Sequence, residues 1–337
     1  MQLTEAQRRL AEDGYEVFFR TFVMDNPLTY ISYKNFVAKH FSNPDILSTP
    51  GVVEYRDGTP VAVQFYLGTR LLYKGQEVVC AQAADTAAVE EGRGMPFLRM
   101  FIGGDRIQRS DGVPFRFGTP NENSFPVVTK LKDVHIGAFA HMLFDCSARI
   151  SGRPASCYVF ESDECLLSQD ELAIVNSCSN SIQTKKSKDY FSWKTSMPND
   201  ARLFTHLKVL LDGRFAGYFV IFDYGGKMAT ICDWGVYGES SANDEAVVCA
   251  FLQHVRGRYT ALRLPCVNEL AGEAELMEAC GFELVRDQSG EPIRDDLCVA
   301  QYADELDSVF FDFSKWCLHM IDLDYFLNAY QSIEDLG

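Results

Sequence analysis

Two stretches of this chain run through the same order of elements, and that repetition constrains the fold more than any other feature. The first begins at residue 51. GVVEYRDGTPVAVQFYLGTRLLY reads as two β-rich runs joined by Asp57-Gly58. Asp-Gly between such runs is a strong hairpin signal, because both central residues of the tight turn need positive φ. QEVVCAQAADTAAV, at 76–89, follows as a third strand of mostly small apolar residues, as suits a central strand. EEGRGMP then turns into PFLRMFI, which places Phe97, Leu98, Phe101 and Ile102 on one helical face. Pro96 suits the first helical position, and Gly103-Gly104 ends or kinks the run. FRFGTP is a short strand, and NENSFPVVTKLKDV is a turn with a short helix.

The second stretch begins at residue 202. LKVLL, GYFVIF and MATICDWGV read as three strands, turned by Asp212-Gly213 and Gly225-Gly226. DEAVVCAFLQHVRGR is an amphipathic helix with Val247, Val248, Phe251, Leu252 and Val255 on one face. TALRLPCV reads as a strand, ELMEACGF as a helix with a glycine stop, and CVAQYA as a closing strand. Both halves thus follow the order hairpin, central strand, helix, strand, short helix. Residues 5–41 precede the first half and read as helical, broken at Asp25-Asn26-Pro27. Residues 151–190 read as a linker with a helix over SQDELAIVNSCSNSI. The expected organisation is two α/β units, at 1–150 and 191–337, with 151–190 between them.

Composition narrows the function. The chain has 337 residues, 47% of them hydrophobic and 23% charged, the profile of a globular protein with about two domains. A net charge of −16 opposes nucleic acid and anionic membranes. Lys185, Lys186 and Lys188 form the one basic cluster and read as a solvated loop. No apolar run is long enough for a membrane span, and the polar start does not read as a secretory signal. The eleven cysteines have no CxxC spacing and often sit in apolar runs, as free thiols in a cytoplasmic protein would. The six histidines show neither HxxxH nor HExxH, so no metal site is expected.

The EEGRGMP turn carries chemistry. A helix N-terminus exposes unpaired N–H groups and the positive end of its dipole, and glycines let a phosphate approach them. A turn of this kind is also an ordinary strand-to-helix connection. In its setting, however, it resembles the Gcn5-related N-acetyltransferase (GNAT) superfamily. There a central strand leads through an Arg/Gln-x-x-Gly-x-Gly/Ala loop into a helix, and a later strand leads to an Asn-containing segment. FGTPNENSFP is the sharper match, and the likeness covers about residues 50–137; the second half resembles a more diverged copy of the unit.

The resemblance implies two GNAT-like units, each a mixed, mostly antiparallel sheet flanked by helices. It implies acyl transfer from acetyl-CoA or another acyl-CoA to a small-molecule amine. Gly92, Arg93, Gly94, Met95 and Pro96 would surround the coenzyme A pyrophosphate, with N–H groups from Arg93, Gly94 and Met95 binding it. Thr86 and Ala87 on the central strand would flank the pantetheine arm, Asn123 would lie along the acyl arm or cap the helix with Asn121, and Asp85 would be a general base or a strand-end carboxylate. The sequence departs from the family pattern at Glu91, in place of Arg or Gln, and at Pro96, which lacks an N–H. Val128 stands where members often carry a tyrosine acid, and Phe125 lacks a hydroxyl. These departures favour the alternative of a catalytically degenerate GNAT-fold protein that binds a ligand or partner. In the second half VYGESSANDEA has no Gly-x-Gly, so coenzyme A is not expected there; Asp233 and Trp234 would face a cleft or serve the core. A transferase using aminoacyl-tRNA also pairs such units, but the acidic charge opposes it.

Overall fold

The computed structural model describes residues 2–23, 32–131, 133–148, 150, 157–177, 180–195, 204–223 and 227–323. The expected break at 25–27 and the Gly225-Gly226 turn lie outside these residues. Helices α1 (Glu5–Phe18) and α2 (Tyr33–Phe41) lead into the hairpin β1 (Gly51–Arg56) and β2 (Thr59–Tyr73), then β3 (Gln76–Ala88). Asp57 and Gly58 take φ 51° and 80°, as the tight turn requires, and Lys74-Gly75 repeats the device at 48° and 74°. Next come α3 (Met95–Ser110), β4 (Phe115–Gly118), α4 (Phe125–Lys130) and β5 (Val134–Asp145).

The segment between the repeats contributes β6 (Cys157–Ser162), α5 (Gln169–Val175), β7 (Gln183–Thr184) and α6 (Lys188–Thr195). The second repeat consists of β8 (Phe204–Leu211), β9 (Arg214–Asp223), β10 (Met228–Val236), α7 (Ser241–Val255), β11 (Ala261–Val267), α8 (Glu273–Ala279), β12 (Glu283–Leu284) and β13 (Arg294–Gln301). Asp212-Gly213 turns β8 into β9 at φ 50° and 78°.

All of these strands join one sheet, in the order β1-β2-β3-β4-β13-β5-β11-β10-β9-β8-β6, with β7 on β2 and β12 on β5. β13, the last strand in sequence, inserts between β4 and β5, and the far end of β5 pairs with β11. The two repeats therefore share strands across their junction. The first repeat's helices cover both faces of its sheet. Val63, Phe65 and Ala87 pack under α1 and α2, while Ala62 packs with Met100, Phe101 and Val128 of α3 and α4.

α3 differs from its sequence expectation in two ways. It runs through Gly103-Gly104 to Ser110, and its buried side carries Met100, Phe101, Gly104 and Gln108, whereas Ile102 is exposed. Gly104 is a packing requirement rather than a stop: a Cβ there would sit 2.0 Å from the Tyr66 hydroxyl. Lys186 is a second correction. It is not solvated but 5% exposed, ion-paired to Asp233 and Asp322; Lys185 reaches Glu77 and Lys188 is exposed.

Candidate functional site

The central strand β3 pairs with the parallel β4 only at Ala81–Arg116 and Gln82–Phe117. Beyond Gln82 the two strands part, and β3 continues to Ala88 with β2 alone on its flank. Its register against β2 shifts where Val63 pairs with Ala87 and Phe65 with Ala84, so Asp85 and Thr86 both oppose Gln64. This is a β-bulge, and Asp85 takes φ 38° to make it. The strand edge from Ala83 to Ala88, with Thr86 and Ala87 on it, thus carries backbone groups that no other described strand takes.

At the end of β3, residues Glu90–Gly92 form one 3-10 turn before α3. Gly92 is required by proximity: a Cβ would lie 2.0 Å from the Val61 carbonyl. Gly94 is required by conformation, as the helix N-cap with φ 75° and ψ −123°, and the space beside it is open. Met95 opens the helix and Pro96 is its second residue, one place later than expected. The Arg93 N–H, expected to face phosphate, instead bonds Glu90 O at 3.2 Å. No described group takes the N–H of Gly94, Met95 or Phe97, so the free donors start one residue later. Glu91 points into water and has Arg20 4.0 Å away, so its repulsion of a phosphate is screened. Arg93 is exposed and has no ion-pair partner among the described residues.

Asp85 faces away from α3, toward α2. Its Oδ2 lies 2.8 Å from Lys39 Nζ and 2.7 Å from His40 Nε2, all three side chains being buried. Burial alone would raise its pKa, but Lys39 and His40 hold the carboxylate well below its usual range. A base working near neutral pH needs the opposite tuning. Asn121 accepts the N–H groups of Asn123 and Ser124 on its Oδ1, capping the approach to α4, while the Asn123 side chain is exposed. Val128 lies in the core against Met100 and Phe101 and offers no acid.

The second repeat builds the same frame and closes it. β10 pairs with β11 only over 228–230, and its register also shifts, between Ile231 and Asp233. Here α7 has its N-terminus capped from within: Ser240 accepts the Asn243 N–H, and Asp244 accepts the Gly238 N–H at 2.8 Å. The opening beside β10 is filled by the segment after Trp316, whose Ile321 N–H bonds Cys232 O at 2.8 Å. Asp233 therefore serves a buried network: Lys186 Nζ lies 3.0 Å and His319 Nδ1 2.6 Å from its carboxylate. Each central strand thus carries a bulge aspartate bound to a lysine and a histidine. Sequence reading missed the second set because its members lie far apart in the chain.

Two of the buried histidines, His40 and His206, make the fold acid-sensitive. Burial lowers His40 from 6.5 to about 4, against the opposing pull of Asp85, and lowers His206 to about 4 likewise. Both stay neutral in the fold while the unfolded chain takes up protons below about pH 6.5. Stability is therefore full above that pH and is lost as pH falls toward 4, each site contributing on the order of 3 kcal/mol. Asp85, also depressed, acts in the same direction below about pH 4. Melting followed from pH 7.5 to 4.5 should show Tm falling by several degrees; a flat profile would mean that these imidazoles are already charged in the fold.

Two repeats of hairpin, splayed central strand and helix, the first entering its helix through a glycine turn, define a tandem GNAT fold. Solved structures bear this out. The chain is similar to a GCN5-related N-acetyltransferase from Anabaena variabilis, with TM-score 0.65 and 12% identity over 90% of this chain and 72% of that one. It is similar to a GCN5-related N-acetyltransferase from Kribbella flavida, with TM-score 0.60 and 12% identity over 89% and 70%. It also matches a tandem GNAT protein from the clavulanic acid biosynthesis pathway, with TM-score 0.55 and 12% identity over 90% and 98%. No family model matches the sequence, and no curated protein does. Among the described residues no helix is long and apolar enough to cross a membrane.

Proposed function

We propose that the chain is an acyl-CoA-dependent N-acyltransferase, that its first repeat holds the donor, and that it transfers an acetyl or related group to a small-molecule amine. The observation that carries this reading is the contrast between the repeats. In the first, the helix N-terminus is uncapped and the strand edge is unpaired; in the second, the equivalent places are filled by the protein's own groups. Gly94, Met95 and Phe97 would donate N–H groups to the pyrophosphate, with Gly92 and Pro96 shaping the turn and Arg93 adding charge. The pantetheine arm would run along β3 at Thr86 and Ala87, with Asn123 at the mouth. A backbone N–H at the bulge would polarise the thioester carbonyl. The amine nitrogen then attacks, the C–S bond breaks, and the proton lost by the amine passes to water. We assign Asp85 to fastening α2 to β3 rather than to proton transfer. The described cysteines are all free, which suits a cytoplasmic setting.

The test is thiol release from acetyl-CoA with diamines, polyamines and aminosugars as acceptors. Met95→Glu places a carboxylate at the helix N-terminus, where it favours the helix and repels phosphate. It should lower kcat/KM at least tenfold with Tm unchanged. The rival reading is a GNAT-fold binding protein, favoured by the buried Val128 and the committed Asp85. Tight acetyl-CoA binding without turnover on any acceptor would establish it; equal turnover by Met95→Glu would remove the loop from the mechanism.

A further inference from the structure

The segment after β13 carries Cys317 and His319 into the opening beside β10. There they meet Glu273, the first residue of α8. One ligand atom from each of these three residues lies within 4.8 Å of the others. Cys317 Sγ is 3.1 Å from Glu273 Oε1, and His319 Nε2 is 3.8 Å from the same oxygen, beyond hydrogen-bonding reach. A tetrahedral zinc ion holds neighbouring ligand atoms about 3.3–3.7 Å apart, given bond lengths of about 2.0–2.3 Å. The observed separations bracket that range.

His319 supplies the second, independent observation. It is 7% exposed, and its Nε2 is buried without a hydrogen-bond partner. Its other nitrogen, Nδ1, lies 2.6 Å from Asp233. A carboxylate on one ring nitrogen fixes the tautomer and aims the other nitrogen's lone pair at a metal. Glu273 is held in the same way, since its Oε2 accepts the Asn268 N–H at 2.8 Å. Charge points the same way. Asp233, Asp322 and Glu273 bring three negative charges to this corner, and Lys186 pairs with the two aspartates. Cys317 and Glu273 are only partly buried, which leaves a way in for an ion.

We propose that Glu273, Cys317 and His319 bind a single zinc-class divalent ion, with Asp233 and Asn268 orienting two of the ligands and a fourth position left for water. A thiolate, an imidazole and a carboxylate together suit zinc over magnesium or calcium. Binding displaces the Cys317 proton to solvent and leaves the cysteine as thiolate. The ion clips the segment after β13 to α8 and β10, closing the second repeat where the first stays open.

Cobalt(II) is the probe, titrated into metal-stripped full-length protein and read by absorption. The expected result is one equivalent bound with micromolar or tighter affinity, a thiolate-to-cobalt charge-transfer band, displacement by zinc and a rise in Tm with zinc. Cys317→Ser should abolish that band, whereas Cys157→Ser, on β6, should keep it. Should Cys317→Ser fail to fold, Glu273→Gln serves instead, keeping the band and weakening affinity at least tenfold. Absence of a thiolate band, a band that survives Cys317→Ser, an affinity unchanged by Glu273→Gln, or affinity no better than millimolar would overturn the proposal and leave a metal-free cluster.

Discussion

Arg116→Met should cost about 3–5 kcal/mol of stability, the expected loss when one partner of a buried ion pair is removed. Arg116 on β4 is 2% exposed. Its two terminal nitrogens each lie 3.0 Å from an Asp133 oxygen, and its Nε reaches Asp105 at 3.1 Å and the Tyr302 hydroxyl at 3.0 Å. Asp105 belongs to α3, Asp133 follows α4, and Tyr302 follows β13, so one guanidinium ties three elements to β4. Methionine would fill much of the volume but strand Asp133, whose carboxylate is almost fully buried. Arg116→Lys should recover only part of the loss, since an ammonium cannot make the paired contact. Urea denaturation measures both variants. A loss below about 1 kcal/mol for methionine, the range of surface pairs, would mean the network is not formed as described.

Lys186→Met should have an effect of the same size, for a related reason. Lys186 Nζ lies 2.5 Å from Asp322 and 3.0 Å from Asp233, and both carboxylates are buried. Tyr190 donates to Asp322 at 2.6 Å but brings no charge. Without the ammonium, two carboxylates remain in the core with hydrogen bonds but no lysine to balance them, and a loss of about 3–5 kcal/mol follows. Lys185→Met is the control. That side chain is exposed and pairs with Glu77 at the surface, so it should change stability by less than about 1 kcal/mol. Equal effects from the two lysines would return Lys186 to the solvated loop its sequence suggests.

The contrast between these neighbours shows what a sequence can carry. Hairpins were legible because Asp57-Gly58 and Asp212-Gly213 encode their turns locally, and both take the required positive φ. The amphipathic α7 was legible from its own periodicity: Val247, Val248, Phe251, Leu252 and Val255 are all buried. The repeated order of elements, and with it the tandem GNAT fold, followed from such local signals. What escaped was set by distant partners. Lys186 reads as polar loop because Asp233 and Asp322 lie far along the chain. Gly104 reads as a helix stop because the Tyr66 hydroxyl that needs its bare Cα lies on another element. The insertion of β13 between β4 and β5 leaves no mark on β13 itself. The site divided in the same way: the glycine turn was visible as a motif, whereas the lysine and histidine on Asp85 and the Cys317–His319–Glu273 cluster were assembled by folding.

Calorimetric titration with acetyl-CoA tests the central claim most directly, with desulfo-coenzyme A and dephospho-coenzyme A as comparators and Met95→Glu as the variant. A first repeat with a working phosphate turn should bind one acetyl-CoA with micromolar affinity. The desulfo ligand should bind nearly as well, the dephospho ligand more weakly, and the variant at least tenfold more weakly. No heat at millimolar acetyl-CoA, or equal binding by wild type and Met95→Glu, would contradict the assignment of the open helix end after β3 to the acyl donor.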